Sequence, residues 1–165
     1  MKNKKRERAL ALACCAAMAA LMLLFTSQCS PLYPINVWGD ANCLLTVGRV
    51  MKRGGVLYRD IYEQKGPLLY LIHAAAACLS DTSFSGVYLM EIPALTAALY
   101  AAYRLMRLRA GSAFALGAAA VFGALATTGG SFMRGDSAED FCLPLLTAAL
   151  AIAYAEYGRR AKPMR

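Results

Sequence analysis

No charged residue occurs between positions 9 and 39, and the stretch 9–26 consists almost wholly of Ala, Leu, Met and Cys. At about 1.5 Å per residue, such a run crosses a hydrocarbon layer of about 30 Å. Four further apolar stretches follow, at 66–80, 84–103, 110–133 and 141–155. The stretch 66–80 is short and begins beside the polar Glu63-Gln64-Lys65. It is expected to lie in or dip into a membrane face rather than cross it. The others predict spanning helices over 9–29, 84–104, 112–130 and 140–157, with 30–83 as a long first extracytoplasmic loop. Within that loop Ala41, Leu44, Leu45, Gly48 and Met51 recur at steps of three and four. Asn42, Thr46, Arg49 and Arg53 form the opposite stripe, and Gly54-Gly55 closes the pattern. This predicts an amphipathic surface helix opened at Asp40. The expected fold class is all-α: a polytopic membrane helix bundle of four spanning helices plus an outer-face amphipathic loop, forming a single membrane domain over 1–165.

Composition agrees with that class. Of 165 residues, 59% are hydrophobic and 17% charged, and the mean hydropathy is +0.43. A disordered chain is excluded, and soluble domains carry about 25% charge. The net charge is +8, from 18 basic and 10 acidic residues. Its placement matters more than its size. Basic residues cluster at Lys2, Lys4, Lys5, Arg6 and Arg8, at Arg104, Arg107 and Arg109, and at Arg159, Arg160, Lys162 and Arg165. By the positive-inside rule these three clusters share the cytoplasmic side, with both termini. Asp40, Asp60, Glu63, Asp81, Asp136, Glu139 and Asp140 then fall on the opposite side. If all five apolar stretches crossed, the 104–109 cluster would sit outside and the 136–140 acids inside, against the rule. The basic N-terminus ahead of an apolar run also fits a secretory signal. However, the run is long for one, and Gln28 precedes Cys29 where a lipoprotein signal carries a small residue, so a retained helix is expected. The expected location is a plasma membrane, with abundant Ala, Arg and Cys pointing to a bacterial source. The basic clusters lack interleaved aromatics, so no nucleic-acid partner is expected.

The first loop carries the chemistry. Two prolines with Tyr33 and Trp38 suit an exit at headgroup level, and Asp40 follows. After the amphipathic helix comes Tyr58-Arg59-Asp60-Ile61-Tyr62-Glu63-Gln64-Lys65-Gly66-Pro67, dense in charge and aromatics, with Pro67 placed to open a helix. Taken with the apolar helix, Asp40 and Gly48-Arg49-Val50-Met51-Lys52-Arg53-Gly54-Gly55, this order resembles the N-terminal part of GT-C membrane glycosyltransferases. The likeness is to the dolichyl-phosphate-mannose protein mannosyltransferase-like kind, whose superfamily includes the bacterial aminoarabinose transferases acting on lipid A.

The resemblance implies a hexosyl- or pentosyltransferase using a polyprenyl-phosphate-linked sugar, with membrane lipids and an acceptor molecule as partners. It maps the first-loop catalytic acid onto Asp40. Many members carry a second acid directly after it, where this chain has Ala41. The family's Lys-Pro/Gly-Pro element maps onto Lys65-Gly66-Pro67, and its second-loop acid onto Asp136 or Glu139. Sugar transfer from a phosphate needs a carboxylate to orient or deprotonate a weak hydroxyl nucleophile. It also needs fixed cations to take up the leaving phosphate's charge. Asp40 serves the first need and Lys65 and Arg59, with Arg134 as a further candidate, the second. Tyr58 joins Arg59 and Lys65 as a substrate-binding candidate. No cofactor is expected, although a divalent cation between the donor phosphate and Asp40 is compatible with this chemistry. Family members are several times longer, so the chain is expected to be the N-terminal part of a larger module. The other reading is a non-catalytic membrane subunit, scaffold or lipid-binding component.

Plainer roles stand beside these. Asp40 suits an N-cap, and Asp136-Ser137-Ala138-Glu139 suits a capping box with acids at the positive helix end. Arg59 and Lys65 also suit contact with anionic headgroups. Glu91, an acid inside a membrane helix, is expected to snorkel or make a polar contact within the bundle. His73 stands alone and is expected to pack at the interface. The six cysteines show no zinc spacing. Cys29 and Cys43 fall on the same side, where pairing is open to them.

Overall fold

The computed structural model describes residues 2–160. Among them it forms six α-helices: α1 (Lys2–Thr26), α2 (Gly39–Lys52), α3 (Pro67–Leu79), α4 (Ser85–Met106), α5 (Ser112–Thr128) and α6 (Ala138–Arg160). A single 3₁₀ turn, Gly130–Phe132, follows α5. The described residues contain no strand beyond an isolated bridge between Leu57 and Ile61.

The four long helices alternate in direction around α4, which touches α1, α3, α5 and α6. Near one end Tyr88 Oη donates to the Ala20 carbonyl at 3.1 Å, and near the other Tyr103 Oη donates to Glu7 at 3.3 Å. On α1 the buried residues are Ala11, Cys15, Ala19 and Leu23, one per turn. The small side chains of Ala11, Cys15 and Ala19 let α1 approach Ala115 and Ala119 of α5 and Leu95, Leu99 and Tyr103 of α4. The opposite face of α1 is uncovered: Leu10, Leu12, Leu21 and Phe25 are exposed. So are Phe114, Val121 and Leu125 on α5, and Leu145, Leu146, Leu150 and Ile152 on α6.

Two helices, Lys4–Thr26 and Ala138–Gly158, are long and apolar enough to cross a membrane, with mean hydropathies of 2.4 and 1.4. Only 22% and 6% of their apolar segments are buried within the protein. Most of both segments is exposed, which fits contact with a membrane. Helices α4 and α5 occupy the expected second and third positions, but only α1 and α6 combine the required length and apolar character.

The first loop folds largely as its pattern predicts. α2 buries Ala41, Leu44, Leu45, Val47 and Gly48, and α3 opens on Pro67 after an extended Gly66. α2 packs on α3, which packs on α4. Gly48 makes the first contact possible, because a Cβ there would overlap the backbone carbonyl of His73. Two points that the sequence leaves open are decided. Asp40 is not the N-cap: that position is Trp38, without a side-chain cap, and Asp40 lies in the first turn. Cys29 and Cys43 are not paired: both are free, Cys29 buried and Cys43 exposed. Cys29 instead accepts a hydrogen bond from Asn36 Nδ2 at 3.3 Å.

Candidate functional site

The start of α2 is fixed by two asparagines. Asn36 Oδ1 accepts the Trp38 N–H at 2.9 Å, and Asn42 Nδ2 donates to the carbonyls of Asn36 and Trp38. This sets Asp40 at the positive end of the α2 dipole. Lys65 is brought to it by a clamp on its own backbone. Its N–H donates to Tyr70 Oη at 2.7 Å and to Glu63 at 3.2 Å, and its carbonyl accepts from Tyr58 Oη at 2.7 Å. Tyr70 in turn donates to the Glu63 carboxylate. Burial pushes the Glu63 carboxyl up, but the hydrogen bonds from Tyr70 and the neighbouring backbone outweigh it and hold it below the usual range. Lys65 Nζ then stands 4.0 Å from Asp40 Oδ2.

These two residues line a cavity of about 300 Å3 with Trp38, Leu44, Gly130, Ser131, Met133, Ser137, Ala138 and Glu139. The first loop and the turn before α6 thus meet, and Asp40, Lys65 and Glu139 share one space. The Trp38 indole N–H is buried and has no protein partner among the described residues.

Asp136 does not line this space. It is fully buried, with its Oδ1 2.6 Å from His73 Nε2. His73 is therefore not a lone interface residue but one half of a buried pair. Its Nδ1 lies 2.7 Å from the Leu69 carbonyl, which only accepts, so Nδ1 carries a proton. The Nε2–Oδ1 contact needs a second proton, on either atom. The pair therefore holds one proton more than a neutral imidazole beside a carboxylate. Burial alone would lower the His73 pKa, but the hydrogen bond and charge of Asp136 raise it above the ordinary histidine value. Burial raises Asp136 more than His73 lowers it.

Glu91 makes the polar contact anticipated within the bundle. Its Oε1 accepts the Asp136 N–H at 2.7 Å and its Oε2 accepts Ser27 Oγ–H at 2.8 Å. The turn held this way is unusual, with four consecutive residues at positive φ: Met133, Arg134, Gly135 and Asp136, at 48°, 70°, 96° and 63°. Such a run is costly outside glycine. It persists because Gln28 N–H ties to the Arg134 carbonyl at 2.7 Å and because Glu91 and His73 grip Asp136. The capping box at the start of α6 lies one residue later than its expected position. Ser137 N–H donates to Asp140 Oδ2 at 3.1 Å, and Asp140 N–H donates to Ser137 Oγ at 3.3 Å. This leaves Glu139 free of the box and facing the cavity.

Three candidates lie elsewhere. Arg59 is not among the cavity-lining residues, since its guanidinium forks onto the carboxylate of the adjacent Asp60 at 2.8 Å. Tyr58 acts through the Lys65 carbonyl rather than by lining the cavity. Arg134 lines a separate surface pocket beside Thr26 and Thr128. Sequence reasoning missed His73, Ser27, Tyr70 and Glu63. Among the described residues no group of three or more His, Cys, Asp or Glu is arranged to hold a metal ion. No family model matches the chain, and neither a curated protein nor a solved structure shows significant similarity to it.

Proposed function

We propose that the chain is a GT-C-like membrane glycosyltransferase module that moves a sugar from a polyprenyl phosphate to an acceptor at the face opposite the cytoplasm. In this reading α1, α4, α5 and α6 all cross the bilayer. The basic clusters near Arg8 and Arg107 meet at one end, through the Glu7–Arg107 pair at 2.9 Å. Arg109 sits over the Tyr154 ring at 5.6 Å, drawing the last turns of α6 to that same end. The positive-inside rule makes this the cytoplasmic end. The acidic cavity lies at the other.

The observation that carries the reading is that Asp40, Lys65 and Glu139 line one cavity. Asp40 orients the acceptor hydroxyl and takes its proton as oxygen attacks the anomeric carbon. The bond from that carbon to the phosphate oxygen breaks, and Lys65 meets the charge left on the polyprenyl phosphate. Glu139 is the supporting acid. The lipid tail stays in the bilayer, so the cavity's place at a bundle end fits a donor delivered from the membrane. Asp40 already faces a cation, the Lys65 ammonium, so the phosphate charge is met by a side chain.

The test uses the full chain in nanodiscs with polyprenyl-phosphate mannose and polyprenyl-phosphate aminoarabinose as donors, following release of polyprenyl phosphate. The expected result is turnover that falls at least about 100-fold in Asp40→Asn and falls likewise in Lys65→Gln. Turnover unchanged by Asp40→Asn overturns the assignment of the base. Retention of the polyprenyl phosphate without turnover of either donor favours the non-catalytic, lipid-binding reading.

A further inference from the structure

At the end of the bundle opposite the Asp40 cavity, the first turns of α1 and the last turns of α4 enclose a second hollow of about 240 Å3. Its polar lining is Lys4, Glu7, Arg8, Tyr103, Arg104 and Arg107. The one acid is already engaged. Glu7 Oε1 accepts from Arg107 Nε at 3.1 Å and Nη2 at 2.9 Å, and from Tyr103 Oη at 3.3 Å. Arg107 is also engaged, since its Nη1 donates to the Ala110 carbonyl at 2.7 Å. These bonds fasten α1 to α4 and make the floor of the hollow rigid.

The remaining cations are different. Among the described residues, Lys4, Arg8 and Arg104 have no carboxylate within ion-pair distance. Arg104 is nonetheless held in place: its guanidinium lies over the Tyr100 ring at 5.9 Å, and Tyr100 stacks on the buried Tyr103 with centroids 5.9 Å apart. Three unmatched positive charges around one concavity repel each other. An anion with several acceptor oxygens would relieve that repulsion, and two arginine forks suit a phosphate better than a carboxylate. The hollow also opens just ahead of the apolar run of α1, which begins at Ala9. That is headgroup depth, where basic pockets between helices bind acidic lipids.

We infer that this hollow is a phosphate-binding site, filled by the headgroup of an acidic lipid or by a free phosphate compound from the adjoining aqueous phase. The site is separate from the Asp40 cavity and does not depend on sugar transfer. The test uses the full chain in phosphatidylcholine nanodiscs. One arm titrates phosphatidylglycerol and counts retained lipid by native mass spectrometry. The other adds inorganic phosphate to the buffer and measures displacement of that lipid. Phosphatidylglycerol is expected to be retained in preference to phosphatidylcholine. Arg8→Gln and Arg104→Gln are each expected to weaken retention about fivefold, and Arg53→Gln, an exposed cation elsewhere, less than twofold. Retention unaffected by inorganic phosphate identifies the lipid headgroup as the ligand, and displacement at millimolar phosphate identifies a free phosphate compound. Equal retention of the two lipids, or variants indistinguishable from Arg53→Gln, overturns the site. Arg8 and Arg104 are both exposed, so both substitutions leave the packed core unchanged.

Discussion

Replacing His73 by Leu tests the buried network that sets the turn before α6. The ring is fully buried, and its two nitrogens engage the Leu69 carbonyl and Asp136. Leucine fills a similar space but satisfies neither partner. Asp136 Oδ2 already lacks a hydrogen-bond partner among the described residues, so the substitution leaves the whole carboxyl group unpaired away from water, beside the Glu91 carboxyl. Removing one member of a buried pair costs about 3–5 kcal/mol. Asp136→Asn is the contrasting change. Asparagine tolerates positive φ, and its amide can donate to the free Nε2 lone pair of a neutral His73, so the expected cost is below about 1.5 kcal/mol. The assay is denaturant unfolding in mixed micelles, followed by far-UV circular dichroism and by the fluorescence of Trp38, the single tryptophan. A His73→Leu variant within about 1 kcal/mol of the parent would refute the reasoning. So would an Asp136→Asn variant as unstable as His73→Leu.

The same pair gives stability a pH dependence. The folded His73 pKa is raised, so its contribution is fully present below about 6.5, the ordinary value, and is lost as pH rises through the folded one. The unfolding free energy should fall with a limiting slope of about 1.4 kcal/mol per pH unit over that window, and a stability independent of pH there would refute the raised pKa. Gly135→Ala should destabilise by about 2 kcal/mol or more in the same assay, because the residue sits at φ 96° and a Cβ would overlap Ser27 Oγ. A variant as stable as the parent would show that the turn relaxes. Membrane-impermeant maleimide added to intact cells should label the exposed Cys43, and labelling only after permeabilisation would reverse the proposed orientation.

The fold and half of the site were legible in the sequence because both follow from local periodicity. Uncharged length marks α1 and α6, steps of three and four give α2 its buried face, and Gly66-Pro67 opens α3. Basic residues at the ends of apolar runs already implied that Arg8 and Arg107 share an end. The rest depended on contacts between distant segments, which no local period encodes. His73 looked solitary because its partner, Asp136, lies on another element and meets it only after α3 packs against the bundle. Asp136 and Glu139 were interchangeable as acids until the left-handed turn buried one with His73 and turned the other toward Asp40. Arg59 looked available until Asp60 folded onto it. Hydrophobic pattern determines which residues leave water. Only the closing of the bundle decides which polar groups, once out of water, must find each other, because each one left unpaired costs about 1–3 kcal/mol.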